Sequence, residues 1–174
     1  MKRFLIVVDM QKDFVDGALG TKEAVAAVPA VVKKIEAFDG DLFVTFDTHG
    51  ENYMNTREGK YLPVPHCIKG TPGWQLDAAV AAALSKKAYT PVEKPTFGAV
   101  QLPDLLRNAA GGDDFSVTLI GLCTDICVVS NALLLKAAFP EADIAVDAAC
   151  CAGVTPQLHE AALATMKSCQ INIL

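Results

Sequence analysis

The chain has 174 residues, 52% hydrophobic and 20% charged, with Lys+Arg 15 against Asp+Glu 20 and a formal net charge of -5. That length and apolar fraction fit one ordinary domain with a core needing no disulfide or metal staple, and they exclude disordered, collagen-like and coiled-coil chains. The acidic balance, without any dense Lys/Arg cluster, argues against a phosphate-neutralising surface and therefore against nucleic acid as a partner.

Phe4 to Val8 is a continuous β-branched and aromatic run that ends in Asp9, the pattern of a buried parallel strand with a polar residue at its carboxyl end. It turns acidic too early for a signal peptide, and no small-residue cleavage site follows. A loop through Gly17 and Gly20 leads to Thr21, which caps an Ala/Val-rich helix to about Ala37 with a kink or break at Pro29. Asp41 to Phe46 is a second strand, followed by Asp47. From Thr48 to Gly73 the chain is polar, aperiodic and rich in Gly, Pro and His, and loops of that length in compact domains are usually functional.

Leu76 to Leu84 is a short Ala-rich helix, Ala88 to Glu93 a third strand and Leu102 to Ala109 a further helix. Phe115 to Gly121 is a fourth strand, and Asp125 to Ala138 runs on as a helix. The apolar stretch around Ile126 to Leu135 is broken by Ser130 and Asn131 and falls short of the ~20 residues a bilayer requires. Asp143 to Val146 and Gln170 to Leu174 complete the sheet, separated by a helix from about Pro156 to Lys167. Strand and helix alternate throughout, so the fold class is α/β: a six-stranded, mostly parallel sheet with helices on both faces, in a single domain over residues 1–174. A cytoplasmic location follows, in which the six cysteines stay reduced; their spacing offers no paired zinc knuckle.

In such a sheet ligands bind beyond the carboxyl ends of the strands, where the winding direction reverses. Asp9, Asp47 with His49, Lys94, and Cys123 to Cys127 follow the first four strands and converge on that rim. A thiol in the first turn of a helix feels the positive end of the macrodipole, which favours thiolate, so Cys127 reads equally as a nucleophile or as a buried structural cysteine. As an activated thiolate it should react rapidly with iodoacetamide. Asp9 near Lys94 and a thiol supplies a base, an acid and a cation; singly, each is also an ordinary turn cap or surface lysine. No His completes a Cys-His pair, and His159 reads as a surface or packing residue. Asp47, His49, Glu58 and His66 form a mixed nitrogen/oxygen set suited to zinc, iron or manganese, although loop histidines bonded to backbone give the same pattern. Trp74, in the turn from Gly70 to Gly73, packs either on the core or on a ligand.

These residues resemble the isochorismatase-like cysteine hydrolases, and among them the nicotinamidase branch. The resemblance rests on Ile6-Val-Val-Asp9-Met-Gln11-Lys-Asp13-Phe14, Asp47-Thr-His49, His66-Cys-Ile-Lys-Gly70-Thr-Pro-Gly73, Glu93-Lys94-Pro-Thr-Phe97 and Gly121-Leu-Cys-Thr124-Asp125-Ile-Cys127-Val, in that order. It implies a triad of Cys127 as nucleophile, Asp9 as base and acid, and Lys94 as electrostatic partner. It also implies a non-proline cis bond at Leu122-Cys123 and an oxyanion hole from the N–H groups of Cys123 and Cys127. Phe14 matches the aromatic pocket wall. Asp47, His49 and His66 match ligands of one divalent ion, zinc first, with Glu58 as a further ligand and Glu51 as its competitor. The stretch Tyr61-Leu-Pro-Val-Pro-His66 departs from the branch, whose members often carry a Trp there.

The implied activity is hydrolysis of nicotinamide to nicotinic acid and ammonia through an acyl-enzyme on Cys127. Another small amide, carbamoyl or ureido, is the alternative substrate, and a non-catalytic metal-binding domain the alternative class. True isochorismatases lack the nucleophilic thiol, so Cys127 counts against that branch. A small-molecule amide is the expected partner, with no membrane partner, and homo-oligomerisation is the default for such chains.

Overall fold

The computed structural model describes all 174 residues. Its six strands are β1 (Lys2–Val8), β2 (Asp41–Asp47), β3 (Tyr89–Lys94), β4 (Phe115–Leu122), β5 (Asp143–Ala152) and β6 (Asn172–Ile173), in the spatial order β3-β2-β1-β4-β5-β6. Every neighbouring pair is parallel, so the expected mostly parallel sheet is wholly parallel. Each connection must therefore cross over a face, and helices supply the crossings. The chain winds outward from β1 through β2 to β3, then returns to the centre and winds the other way from β4. The reversal lies between β1 and β4.

Side chains of β1 alternate between two cores. Phe4, Ile6 and Val8 pack with Leu102, Leu106, Ala132 and Leu163; Leu5 and Val7 pack with Ala24, Val31, Ile35 and Val80. Helices α1 (Lys12–Val15), α2 (Lys22–Ala37) and α4 (Ala78–Leu84) thus cover one face, and α5 (Leu102–Ala110), α6 (Val129–Ala138) and α7 (Pro156–Ser168) the other. Thr21 caps α2 as expected, accepting from the Ala24 N–H at 3.0 Å, but the helix continues through Pro29 without a break. Its buried stripe of Ala24, Ala27, Val31 and Ile35 outweighs one lost backbone bond.

Four elements differ from the sequence reading, the first being α1, a short helix in what reads as a loop. The 48–73 loop contains a short helix, α3 (Arg57–Tyr61), capped by the Thr56 hydroxyl. The segment expected to begin a helix at Asp125 starts as a π turn over Thr124–Val128, with the Val128 N–H reaching back to the Cys123 carbonyl at 3.0 Å. β5 runs on to Ala152 because β4 pairs with it again at Gly121↔Cys151, past an irregularity that Asp147 and the alanines after it do not advertise.

At the reversal, β4 passes β1 very closely. Gly121 has φ 116, and a Cβ there would lie 2.1 Å from the Val8 carbonyl oxygen. Only glycine fits both conditions. Gly121→Ala should cost at least about 2 kcal/mol, read as a lower midpoint in urea unfolding.

Candidate active site

The rim above β1 to β4 collects the chemistry. Asp9 follows β1 with φ 46, Asp47 and Lys94 end β2 and β3 in paired register, and Cys127 lies in the π turn after β4. All four side chains are buried. Lys94 Nζ is 2.7 Å from Asp9 Oδ2, 3.4 Å from Asp47 Oδ1 and 3.5 Å from Cys127 Sγ, and it donates to the Thr96 carbonyl at 2.9 Å. The Thr45 hydroxyl donates to Asp9 Oδ1 at 2.6 Å. Asp9 Oδ2 faces Lys94 at ion-pair distance but has no well-aligned hydrogen-bond donor, so it stays available to accept a proton.

Burial raises the Cys127 thiol well above its ordinary range, and the Asp9 carboxylate raises it further; the Lys94 cation opposes both without prevailing. This departs from the thiolate expected from a helix terminus. Burial also raises the Asp9 carboxyl, against the pull of Lys94, which makes it a better proton acceptor. Lys94 loses hydration but gains Asp9, Cys127 and Asp47, and the balance holds its proton more firmly than usual. Burial and Asp9 thus push Cys127 toward the protonated thiol, beside the Asp9–Lys94 pair. At pH 7 iodoacetamide should label exposed Cys169 well before Cys127; equal rates would show the buried sulfur to be open and ionised.

Beside this group stand Asp47, His49, Glu58 and His66, whose ligand atoms lie within 4.8 Å of one another. His49 Nε2 is 2.9 Å from Asp47 Oδ2 and 3.7 Å from Glu58 Oε1, and His66 Nε2 is 3.5 Å and 3.7 Å from the same two oxygens. His66 Nδ1 lies 2.8 Å from the Val64 carbonyl, the partner that leaves Nε2 as the ligand atom. Two imidazoles and two carboxylates converging this closely fit a divalent ion. Glu51 is exposed and outside the cluster, so of the two glutamates it is Glu58 that the fold brings in.

A cavity of about 210 Å³ joins the two centres. That is below the ~300–1,000 Å³ of drug-sized sites and suits a small substrate. Phe14, Leu19, Leu62, Phe97, Ile126 and Val154 wall it, with Cys123, Cys127, Asp47, Glu58 and His66 supplying its polar surface. A larger depression of about 560 Å³ around Met1, Asp114 and Phe139 sits at the opposite, amino end of the strands and contains no nucleophile. Phe14 lies against the ring of His66, centroids 5.4 Å apart. The Leu122-Cys123 peptide is cis, and the Cys123 N–H makes no hydrogen bond within the protein.

Other supporting residues escaped the sequence reading. Gln11, fully buried, clamps the Asp47 backbone from both sides at 2.8 Å. Its place inside the Asp-Met-Gln motif was the available signal. Thr45 was a lone polar residue in an apolar strand. Asn131 ties the Cys127 carbonyl to the Ala99 N–H, each at 2.8 Å, and Tyr53 packs against both His49 and His66. Trp74 stacks on Phe46 and donates to the Thr48 hydroxyl, and His159 lies 2.8 Å from the Thr124 hydroxyl, a packing role as expected.

Burial lowers the His66 pKa, but hydrogen bonds to Asp47 and Val64 and the charges of Asp47 and Glu58 outweigh it, raising the value above 6.5. The stability this gives the metal-free protein is present below the ordinary value and lost as pH rises through the raised one. Burial works against the Asp47 carboxylate too, yet His49, His66 and Lys94 hold it well below the usual range, so its contribution is lost only in acid. A divalent ion must displace the His66 proton, which becomes easier with pH. The Tm difference between ion-loaded and chelated protein should therefore widen from pH 6 to 8; a constant difference would exclude His66 as a ligand.

The comparisons agree with this architecture. The isochorismatase domain model matches residues 3–174. The nicotinamidase/pyrazinamidase of Mycobacterium tuberculosis is 31% identical over 144 residues, 75% of this chain and 76% of that one. The crystal structure of nicotinamidase/pyrazinamidase from Bacillus subtilis superposes with TM-score 0.86 at 28% identity, covering 99% of each chain. Pyrazinamidase of Pyrococcus horikoshii in complex with zinc superposes with TM-score 0.81 at 27% identity over 100% of this chain and 99% of the other. With the family model matching almost the whole chain and the superposition covering the sheet and both helical layers, this chain belongs to the isochorismatase family and stands among its nicotinamidase-like members.

Proposed function

We propose that residues 1–174 form a single metal-dependent amidohydrolase domain that converts nicotinamide to nicotinic acid and ammonia. The observation carrying this reading is that one small cavity has a buried Asp9–Lys94–Cys127 group at one side and a four-residue metal cluster at the other. The names of the M. tuberculosis, B. subtilis and P. horikoshii relatives support the same activity.

In this mechanism Cys127 Sγ attacks the carboxamide carbon as its proton passes to Asp9. The N–H groups of Cys123 and Cys127 receive the developing oxyanion. Asp9 then returns the proton to the leaving nitrogen, ammonia departs, and a thioester remains on Cys127. Asp9 next takes a proton from water, which attacks the thioester carbonyl. Nicotinic acid leaves, and the sulfur recovers its proton. Lys94 keeps its ammonium throughout, holding Asp9 in place and moderating charge on the sulfur. Asp47, His49, Glu58 and His66 would hold the divalent ion, zinc first among candidates, whose Lewis acidity supplies an anchor for the pyridine nitrogen. Phe14 packs along the ring.

Cys127→Ala should lower ammonia release from nicotinamide by at least about a thousandfold while leaving the fold intact. Chelation should raise KM for nicotinamide much more than for benzamide, which lacks the ring nitrogen. Undiminished turnover by the alanine variant would end the acyl-enzyme reading, and equal sensitivity of the two amides would end the ring anchor.

A further inference from the structure

The cavity is open on one side. Glu58, Leu62, Phe97 and Ile126 line both it and a neighbouring cleft of about 540 Å³, which Arg57 and Tyr61 also line. At this boundary Leu62 is 37% exposed and Phe97 43%, while the Glu58 carboxylate is turned inward toward His49 and His66, so the gate is only partly covered and its other three side chains are apolar. Tyr61 is 77% exposed and lines the cleft but not the cavity, so its ring does not close this side.

Arg57 is the only cation lining the cleft. Its guanidinium carbon lies 5.2 Å from the centroid of the Tyr61 ring, and Nη2 is 3.4 Å from the Tyr61 hydroxyl. It pairs with no carboxylate, because Glu58 is turned toward His49 and His66. An arginine oriented by an aromatic face and left without an anion, beyond an apolar gate, is complementary to an acidic group carried on an apolar arm.

We infer that the site accepts more than an unsubstituted ring: its substrate class includes aromatic carboxamides with an acidic arm that crosses the Leu62–Phe97–Ile126 gate and ends at Arg57. This rests on the amidase reading of the cavity. The ring carbon opposite the shared neighbour of the nitrogen and the carboxamide-bearing carbon is adjacent to neither, so an arm placed there leaves both anchoring groups unobstructed.

The test measures ammonia release from nicotinamide and from two nicotinamides substituted at that carbon, one with a butyl and one with a carboxypropyl arm. The carboxypropyl amide should exceed the butyl amide in kcat/KM by about fivefold at low salt, the upper end for an exposed ion pair. The ratio should shrink at high ionic strength. Arg57→Ala should bring it to unity and Arg57→Glu should invert it. Hydrolysis of nicotinamide with refusal of both arm-bearing amides, or with no preference for the acidic arm, overturns the inference. Failure to hydrolyse any of the three, nicotinamide included, overturns the amidase reading and this inference with it.

Discussion

The buried ammonium of Lys94 is the interaction on which the site depends. Two carboxylates and a sulfur surround it at 2.7 to 3.5 Å, and solvent barely reaches it. An isolated charge in such a place would cost several kcal/mol, so the lysine is tolerated only because Asp9 and Asp47 face it. The same contact links both halves of the rim. Asp9 belongs to the proposed thiol chemistry and Asp47 to the proposed metal cluster, and one cation neutralises a share of each.

Holding that cation requires the surrounding scaffold to be exacting. Thr45 occupies one oxygen of Asp9 and leaves the other toward Lys94. Gln11 fixes the Asp47 backbone, and the Asp13 carboxylate accepts from the Cys67 N–H at 2.8 Å, anchoring the chain directly after His66. A Cβ on Gly73 would fall 2.1 Å from that carboxylate, so the turn before Trp74 closes over it only as glycine. The supporting groups come from distant parts of the chain, and each restrains backbone as well as side chain.

Much of this was legible in the residues. The apolar runs ending in Asp9 and Asp47 placed two central strands and their carboxyl ends, and the separated motifs placed Cys127, Lys94 and the candidate metal ligands on one rim. The direction in which the fold pushes the Cys127 thiol was not legible. A helix-terminus argument favours thiolate, whereas enclosure by apolar walls and the proximity of Asp9 favour the thiol, and neither enclosure nor proximity has a local sequence signature. The extension of β5 to Ala152 likewise depends on a partner strand far along the chain.

Sequence by itself determined the α/β alternation, the family motifs and the candidate reacting groups, because hydrophobic period and residue chemistry are local properties. Tertiary structure decided which of those groups meet. It chose Glu58 over Glu51, joined Lys94 to Asp47 as well as to Asp9, and left Leu62 and Phe97 as an open gate beside Arg57. Such outcomes follow from through-space distance and burial, which arise only when strands adjacent in the sheet are brought together from separate stretches of the chain.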